Sequence, residues 1–411
     1  MFTEQKNSLT PQLKTRASKL PAIPRSIWAL GLVSLFMDTS SELIHSLLPL
    51  FMVTTLGASM TAVGVVEGVA EATALIVKLF SGILSDYVHK RKLLTLIGYG
   101  LAALAKPLFA LANTIGMVMA ARFTDRIGKG IRDAPRDALM GALAPPEIRG
   151  ACFGLRQSLD TIGAFLGPVL AIAGMFLFAN AIRPVLWLAV IPALVACIIL
   201  AWGVQEPKNN QETSPKASIK TGDIWIIGGA YWQLVALGGL LALARFSDAF
   251  LILKAQATGL PLALVPLVMV ITNIIYALAA YPAGILSDRT NKKAMLVLGT
   301  CFLIAADLAL GFTNNLWILA LGIALWGLHM AFTQGLLAAM VTDTTPPALR
   351  GTAYGVFNLV SGFALLISSI SAGVLWDRFG SPAAFFTGAA CATLAIVALL
   401  SIKPNHEKKK S

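Results

Sequence analysis

Charge is scarce in this chain of 411 residues. Asp, Glu, Lys and Arg together make up 13% of it, against roughly 25% in soluble domains. Hydrophobic residues make up 57% and the mean hydropathy is +0.76. A water-soluble core cannot hide that much apolar surface, so lipid must be the solvent for much of the chain. Cysteine is rare too. Cys152, Cys197, Cys301 and Cys391 stand far apart in apolar or small-residue stretches. No C-x-x-C pair exists, and the four read as reduced packing residues. The four histidines, His45, His89, His329 and His406, have no metal-ligand spacing,. There is no phosphate loop, because Phe123 stands where Gly128-Lys129 would need its first glycine,. No Gly-x-Ser-x-Gly elbow occurs. These absences argue against an enzyme, and no cofactor or metal is expected.

Long apolar runs are plentiful. Runs able to cross ~30 Å of hydrocarbon lie near 30–54, 61–82, 93–112, 115–135, 152–178 and 183–203, then near 232–256, 262–284, 294–312, 316–341, 352–375 and 382–402. The expected class is an all-α membrane protein with twelve membrane-spanning helices. Its expected organisation is an N-terminal arm (1–26), a first six-helix half (27–203), a linker (204–231), a second half (232–402) and a basic tail (403–411). The arm is basic, and no small-residue cleavage site follows it, so the first run reads as a span and not a removable leader.

The net charge is +12, and its distribution explains it. Lys90, Arg91, Lys92, Arg149, Arg289, Lys292, Lys293 and Arg350 fall in alternate loops, with the arm, linker and tail. The intervening loops carry only Arg183 and Arg378. The positive-inside rule then predicts both termini in the cytoplasm of a bacterial inner membrane, and no nucleic-acid partner.

The chain also repeats itself. Gly82-Ile83-Leu84-Ser85-Asp86 recurs as Gly284-Ile285-Leu286-Ser287-Asp288, each copy followed by basic residues, Lys90-Arg91 and Lys292-Lys293. Pro145-Pro146-Glu147-Ile148-Arg149-Gly150 is echoed by Pro346-Pro347-Ala348-Leu349-Arg350-Gly351 at nearly the same spacing. Two such blocks predict two halves of one topology.

The motif Gly82-x-Leu84-x-Asp86-x-x-x-Lys90-Arg91 resembles the signature loop between spans 2 and 3 of the major facilitator superfamily, with its echo at Gly284. The loop's usual second glycine is replaced here by His89 and Asn291. The resemblance runs from about residue 27 to 402. It implies alternating access around a central site, a small-molecule substrate and a monomer in the bilayer. It also implies that Gly82, Asp86 and Arg91, with Gly284, Asp288 and Lys293, belong to a latch holding the halves together in the outward-facing state. Asp86 ends a helix, where a negative charge opposes the dipole and calls for a partner.

Charges within spans are costly and mark function by default. Span 1 places Asp38, Glu42 and His45 on one face, and span 2 has Glu67 and Glu71,. Span 4 carries Arg122, Asp125, Arg126 and Lys129, and span 5 carries Arg156 and Asp160. The second half has fewer: Arg245, Asp248 and Asp307. A carboxylate that changes protonation between two aqueous sides suits proton coupling. Asp38, Glu42, Glu71 and Asp160 are therefore the proton candidates. Arg122, Asp125, Arg126, Arg156, Arg245 and Asp248 are the counter-charge and cavity candidates. Lys78, Lys106 and Lys254 are expected to snorkel, and Asp133 and Asp137 to be loop charges paired with Arg132 and Arg136. Gly163-x-x-x-Gly167-Pro168 resembles the antiporter motif of drug exporters, with Ala171 and Ile172 in place of its final glycines. Its alternative is plain helix packing.

The expected function is proton-coupled antiport exporting a small organic solute. The alternatives are proton symport of an organic anion or metal chelate such as a siderophore, and, from another class, a channel or membrane sensor.

Overall fold

The computed structural model describes residues 22–88, 90–205, 227–346 and 349–401, without the side chains of residues 79, 82–88 and 288. The arm up to residue 21, most of the linker and the tail from residue 402 lie outside the described residues.

The first half comprises α1 (Arg25–Leu50), α2 (Met60–Val88), α3 (Arg91–Leu111), α4 (Ile115–Leu143), α5 (Arg149–Leu177), α6 (Ile182–Leu188) and α7 (Val190–Gly203). The second comprises α8 (Gly229–Ala244), α9 (Ala249–Ala257), α10 (Leu267–Arg289), α11 (Lys292–Phe312), α12 (Leu316–Thr344), α13 (Arg350–Phe379) and α14 (Ser381–Ser401). The pairs α6–α7 and α8–α9 each make one broken span, so twelve spans result. Among the described residues eleven of them meet the length and hydropathy of a membrane crossing. The twelfth, α4, is too charged to qualify, yet its 29 residues reach about 43 Å at 1.5 Å per residue. Helices answer the bilayer's demand that every backbone polar group be satisfied internally.

The expected ends hold to within a few residues except at two places. α4 continues through Asp133 and Asp137 to Leu143, so those residues lie in a helix and not in a loop. Span 7 is broken between Ala244 and Ala249. That break is held by polar contacts to α13: Ser247 N–H donates to Ser369 Oγ (3.2 Å) and Ser368 Oγ to the Leu243 carbonyl (2.8 Å). Ser40 Oγ similarly donates to the carbonyl at Ala189, where α6 gives way to α7 (2.7 Å).

The two faces of the bundle differ. One carries the turns after α2 and α10 with their lysines and arginines, and is called here the basic face. The other carries the turns at Gly57 and Gly259, both at positive φ (67° and 97°), where glycine is unstrained,. α1 begins and α14 ends on the basic face. Asn291, standing where the signature loop usually has glycine, caps α11 by accepting from Lys293 N–H (2.8 Å),.

The halves meet along α2 and α13, with α5 against α10 and α1 against α9. Small residues set the α2–α13 approach. A Cβ at Gly64 would stand 2.2 Å from the Ser369 carbonyl oxygen, one at Gly68 3.0 Å from Leu366, and one at Gly373 2.4 Å from the Met60 carbonyl oxygen. At the end of this seam Asp377 of α13 accepts from the N–H groups of Met60 and Thr61. Asn273 of α10 donates to the Ala164 carbonyl of α5 (3.0 Å). Among the described residues these joining contacts run from the glycine-turn face to mid-membrane, ending near Gly362 against Leu75. Among the described residues the cleft between the halves is therefore closed on the glycine-turn face and open toward the basic one.

Candidate functional site

The first half has a charged core assembled by α1, α2, α3, α4 and α5. Its most buried element is a pair the motif reading did not single out: Arg122 Nη2 donates to Glu67 Oε2 at 2.6 Å, with 2% and 0% of the two side chains exposed. His45 lies 3.8 Å from the same Glu67 oxygen and 3.5 Å from Glu42, linking α1 to α2. One turn along, Arg126 pairs with Glu71 at 3.1 Å. Lys106 of α3 is not a snorkelling residue. It is buried, with Nζ 2.7 Å from Asp125 and 2.9 Å from Ser41 Oγ. Apolar surroundings leave an ammonium no route to water along α3, so it is held by a counter-charge.

Further toward the basic face Arg132 lies 3.9 Å from Asp38 and stacks over the Tyr99 ring. Asp133 sits among Lys78, Arg132 and Arg136 at 3.9–4.0 Å, so it belongs to the core and not to a solvated loop. Asp137 pairs with Arg136 at 3.2 Å. Lys78 is half-exposed, as a snorkelling residue should be. Arg156 and Asp160 are hydrogen-bonded one turn apart on α5, and Asp160 also acts electrostatically on Asp38.

Burial divides the acids. Asp38, Glu42 and Glu71 keep 28%, 25% and 32% of their side chains exposed, whereas Glu67 keeps none. α1, which carries Asp38 and Glu42, is packed on α4, α5, α7 and α9. Lys129 is partly buried and makes no ion pair within 4 Å among the described residues, though its charge acts on Asp38, Glu42, Glu71 and Asp133. It joins the candidate site. Its signal in sequence was the i, i+3 spacing from Arg126.

The second half is sparser. Asp248 accepts from Trp326 Nε1 (3.0 Å) at the α8–α9 break. Arg245 occupies the same break, and its buried Nε has no hydrogen-bond partner among the described residues. Lys254 is buried and donates to Ser381 Oγ (3.2 Å), another correction to the snorkelling expectation.

The Gly163–Gly167 segment closes α5 on α1. A Cβ at Gly163 would lie 2.5 Å from the Leu35 carbonyl oxygen, and one at Gly167 2.7 Å from the Thr39 carbonyl oxygen. Pro168 and Ala171 are buried beside it. In the signature loops the side chains of Asp86 and Asp288 lie outside the described residues, as does Gly82 beyond its helical backbone. Arg91 donates to the Ala138 carbonyl (3.4 Å) and Lys293 to the Leu400 carbonyl (3.3 Å), both within their own half. Gly284 has open space around it.

Two six-helix halves around a cleft that opens on one face, with buried charge beside it, define a membrane carrier fold. A sequence profile of the Major Facilitator Superfamily matches residues 30–253 and 223–411, and the chain belongs to that family. An uncharacterized MFS-type transporter of Methanocaldococcus jannaschii is 30% identical over 394 residues, covering 92% of this chain and 95% of that one. A multidrug resistance protein, MdtH of Proteus mirabilis, is 23% identical over 338 residues, covering 81% and 82%. The nucleoside transporter NupG has the same fold, with a TM-score of 0.78 at 15% identity over 91% of this chain and 98% of that one. The chain is thus a multi-pass secondary transporter and not an enzyme.

Proposed function

We propose that this chain is a proton-coupled antiporter exporting a small organic solute by alternating access. The observation that carries it is the division of the first-half acids. Glu67 is sealed against Arg122, while Asp38, Glu42 and Glu71 stay part-exposed, Asp38 and Glu71 beside arginines and Glu42 beside His45, with Asp160 bonded to Arg156. A carboxylate with a nearby, exchangeable counter-charge can trade its proton for a solute. If the basic face is cytoplasmic, as the positive-inside rule argues, the cleft opens to the cytoplasm, ready to receive an exported solute. The part-exposed acids Asp38, Glu42 and Glu71 suit a cationic or neutral solute, and the likeness to a multidrug resistance protein points the same way. A second reading, symport of an organic anion, draws on Arg245, a cation beside the opposite wall with an unsatisfied Nε.

The test is proton flux in proteoliposomes holding a trapped pH dye, challenged with cationic, anionic and neutral solutes. Solute-triggered proton movement, lost in Glu71→Gln or Asp160→Asn, supports antiport or symport according to its sign. Labelled solute crossing with no proton movement overturns proton coupling.

A further inference from the structure

Asp307 of α11 stands apart from the charged core of the first half. It is fully buried, with 0% exposure, and neither carboxyl oxygen has a hydrogen-bond donor among the described residues. No cationic side chain pairs with it among the described residues. Its neighbours are arranged around the carboxyl. A Cβ built on Gly388 of α14 would stand 2.7 Å from Asp307 Oδ2, 3.1 Å from the Ala244 carbonyl oxygen and 3.2 Å from the Phe246 ring. Glycine at 388 therefore leaves the space that the carboxyl fills. Ala244 is the last residue of α8. Because the helix stops there, the next turn supplies no N–H for its carbonyl.

Two acceptor oxygens thus lie 2.7 and 3.1 Å from one point beside Gly388, and neither has a donor among the described residues. Two oxygens bearing negative charge would repel in hydrocarbon surroundings, and an isolated carboxylate there is far costlier than a neutral acid. Something positive must lie between them. A hard metal cation takes about six or more oxygens, and among the described residues no group of three or more His, Cys, Asp or Glu could hold one. A proton needs one donor oxygen and one acceptor.

We propose that Asp307 is a proton-binding site of the second half, its carboxyl O–H donating to the Ala244 carbonyl freed by the break between α8 and α9. The titratable group that Asp307 reaches electrostatically is Cys391 on α14, and among the described residues burial is the only other influence on it; Arg245 and Asp248 sit beyond Ala244 at the break, and His329 on α12 bonds the Gly299 carbonyl and feels the Arg245 charge. The site ties proton occupancy to the shape of span 7. With the proton bound, α8 is pinned to α11. With it gone, carboxylate and carbonyl repel, and the break carrying Arg245 and Asp248 must move.

Infrared spectroscopy on the purified full-length chain, without solute, tests this. The wild type is expected to show a protonated-carboxyl stretch at neutral pH that shifts in heavy water and disappears in Asp307→Asn. That variant should melt within a few degrees of the wild type, since an amide N–H can donate to Ala244, whereas Asp307→Leu should melt much lower. If Asp307→Asn does not accumulate, Gly388→Ala replaces it: the added methyl must displace the carboxyl and shift the frequency of the band. A wild type–minus–Asp307→Asn difference containing only carboxylate bands overturns the proposal. So does a melting temperature raised by sodium but indifferent to protons, which would mark a metal-cation site. The measurement needs no transported solute, so its failure is distinct from failure of the antiport reading.

Discussion

Asp377 and Thr61 join the two halves at the glycine-turn face: the Asp377 carboxylate accepts from the Thr61 N–H at 2.8 Å and from its hydroxyl at 2.6 Å, with the Met60 N–H at 2.9 Å. The aspartate stands at the unfavourable end of α13 but at the favourable N-terminus of α2, whose orphan donors it satisfies. This single contact caps one helix with the other half of the molecule. For the cleft to open on this face, it must break.

Removing the cap should therefore loosen that seal. Loss of a capping carboxylate costs about 1 kcal/mol, roughly a fivefold shift in a two-state equilibrium. Ser369 is buried at the seam. In an Asp377→Ala background, a cysteine placed at Ser369 should react several-fold faster with a membrane-impermeant thiol reagent applied from the glycine-turn face. An unchanged rate would show that the cap does not hold the seam.

The glycine seam itself should be intolerant of a single methyl. Gly64→Ala raises helix propensity by about 1 kcal/mol, so stabilisation would be expected if the position were free. Its Cβ would instead meet the Ser369 carbonyl oxygen at 2.2 Å. Transport should fall about tenfold or more, the effect of about 1.4 kcal/mol against closure, while the chain still inserts. Full activity in Gly64→Ala would mean that the halves need not approach this closely.

The Glu67–Arg122 pair should behave as a unit. Removing one partner from a buried ion pair costs about 3–5 kcal/mol because the other charge is stranded. Glu67→Met and Arg122→Met should each lower the melting temperature in detergent more than the double substitution does. If the double variant is the least stable of the three, the two residues are not each other's principal partners.

Gly167 separates packing from a specific antiport role. Gly167→Leu would drive its side chain into the α1 backbone at Thr39 and Leu43. The expected outcome is loss of a monodisperse folded peak by size exclusion, with Gly163→Ala intermediate. A folded Gly167→Leu chain that binds solute but no longer exchanges it would assign the segment a role beyond α1–α5 packing.

Some of the charged core could be read along single helices. Asp160 pairs with Arg156 because i, i+4 neighbours meet on one helix,, and Asp137 pairs with the adjacent Arg136. Asp38, Glu42 and Glu71 were recognisable as costly charges in apolar runs. Their partners were not all apparent. Lys106 looked like a snorkelling lysine because nothing on α3 balances it; Asp125, on α4, does. Glu67 and Glu71 are one turn apart and look equivalent, yet one is sealed and the other stays part-exposed. The break at Ala244–Ala249 interrupts what reads as a continuous apolar run. Arg245, Ser247 and Asp248 were its trace, but the serines of α13 that hold it are more than 100 residues away.

The amino-acid sequence by itself determined the twelve spans, their duplication into two halves and the presence of charge inside the membrane. Each follows from a local quantity: the length of an apolar run, the offset of a repeated motif, the cost of an ionised group in hydrocarbon. Only the tertiary structure decided which charges pair between helices, which acid is sealed, where the halves are joined, and that Asp307 is buried without a partner beside Gly388. Those outcomes depend on how helices rotate and cross, and contacts between helices distant in sequence are set by packing around the whole bundle and not by any one span.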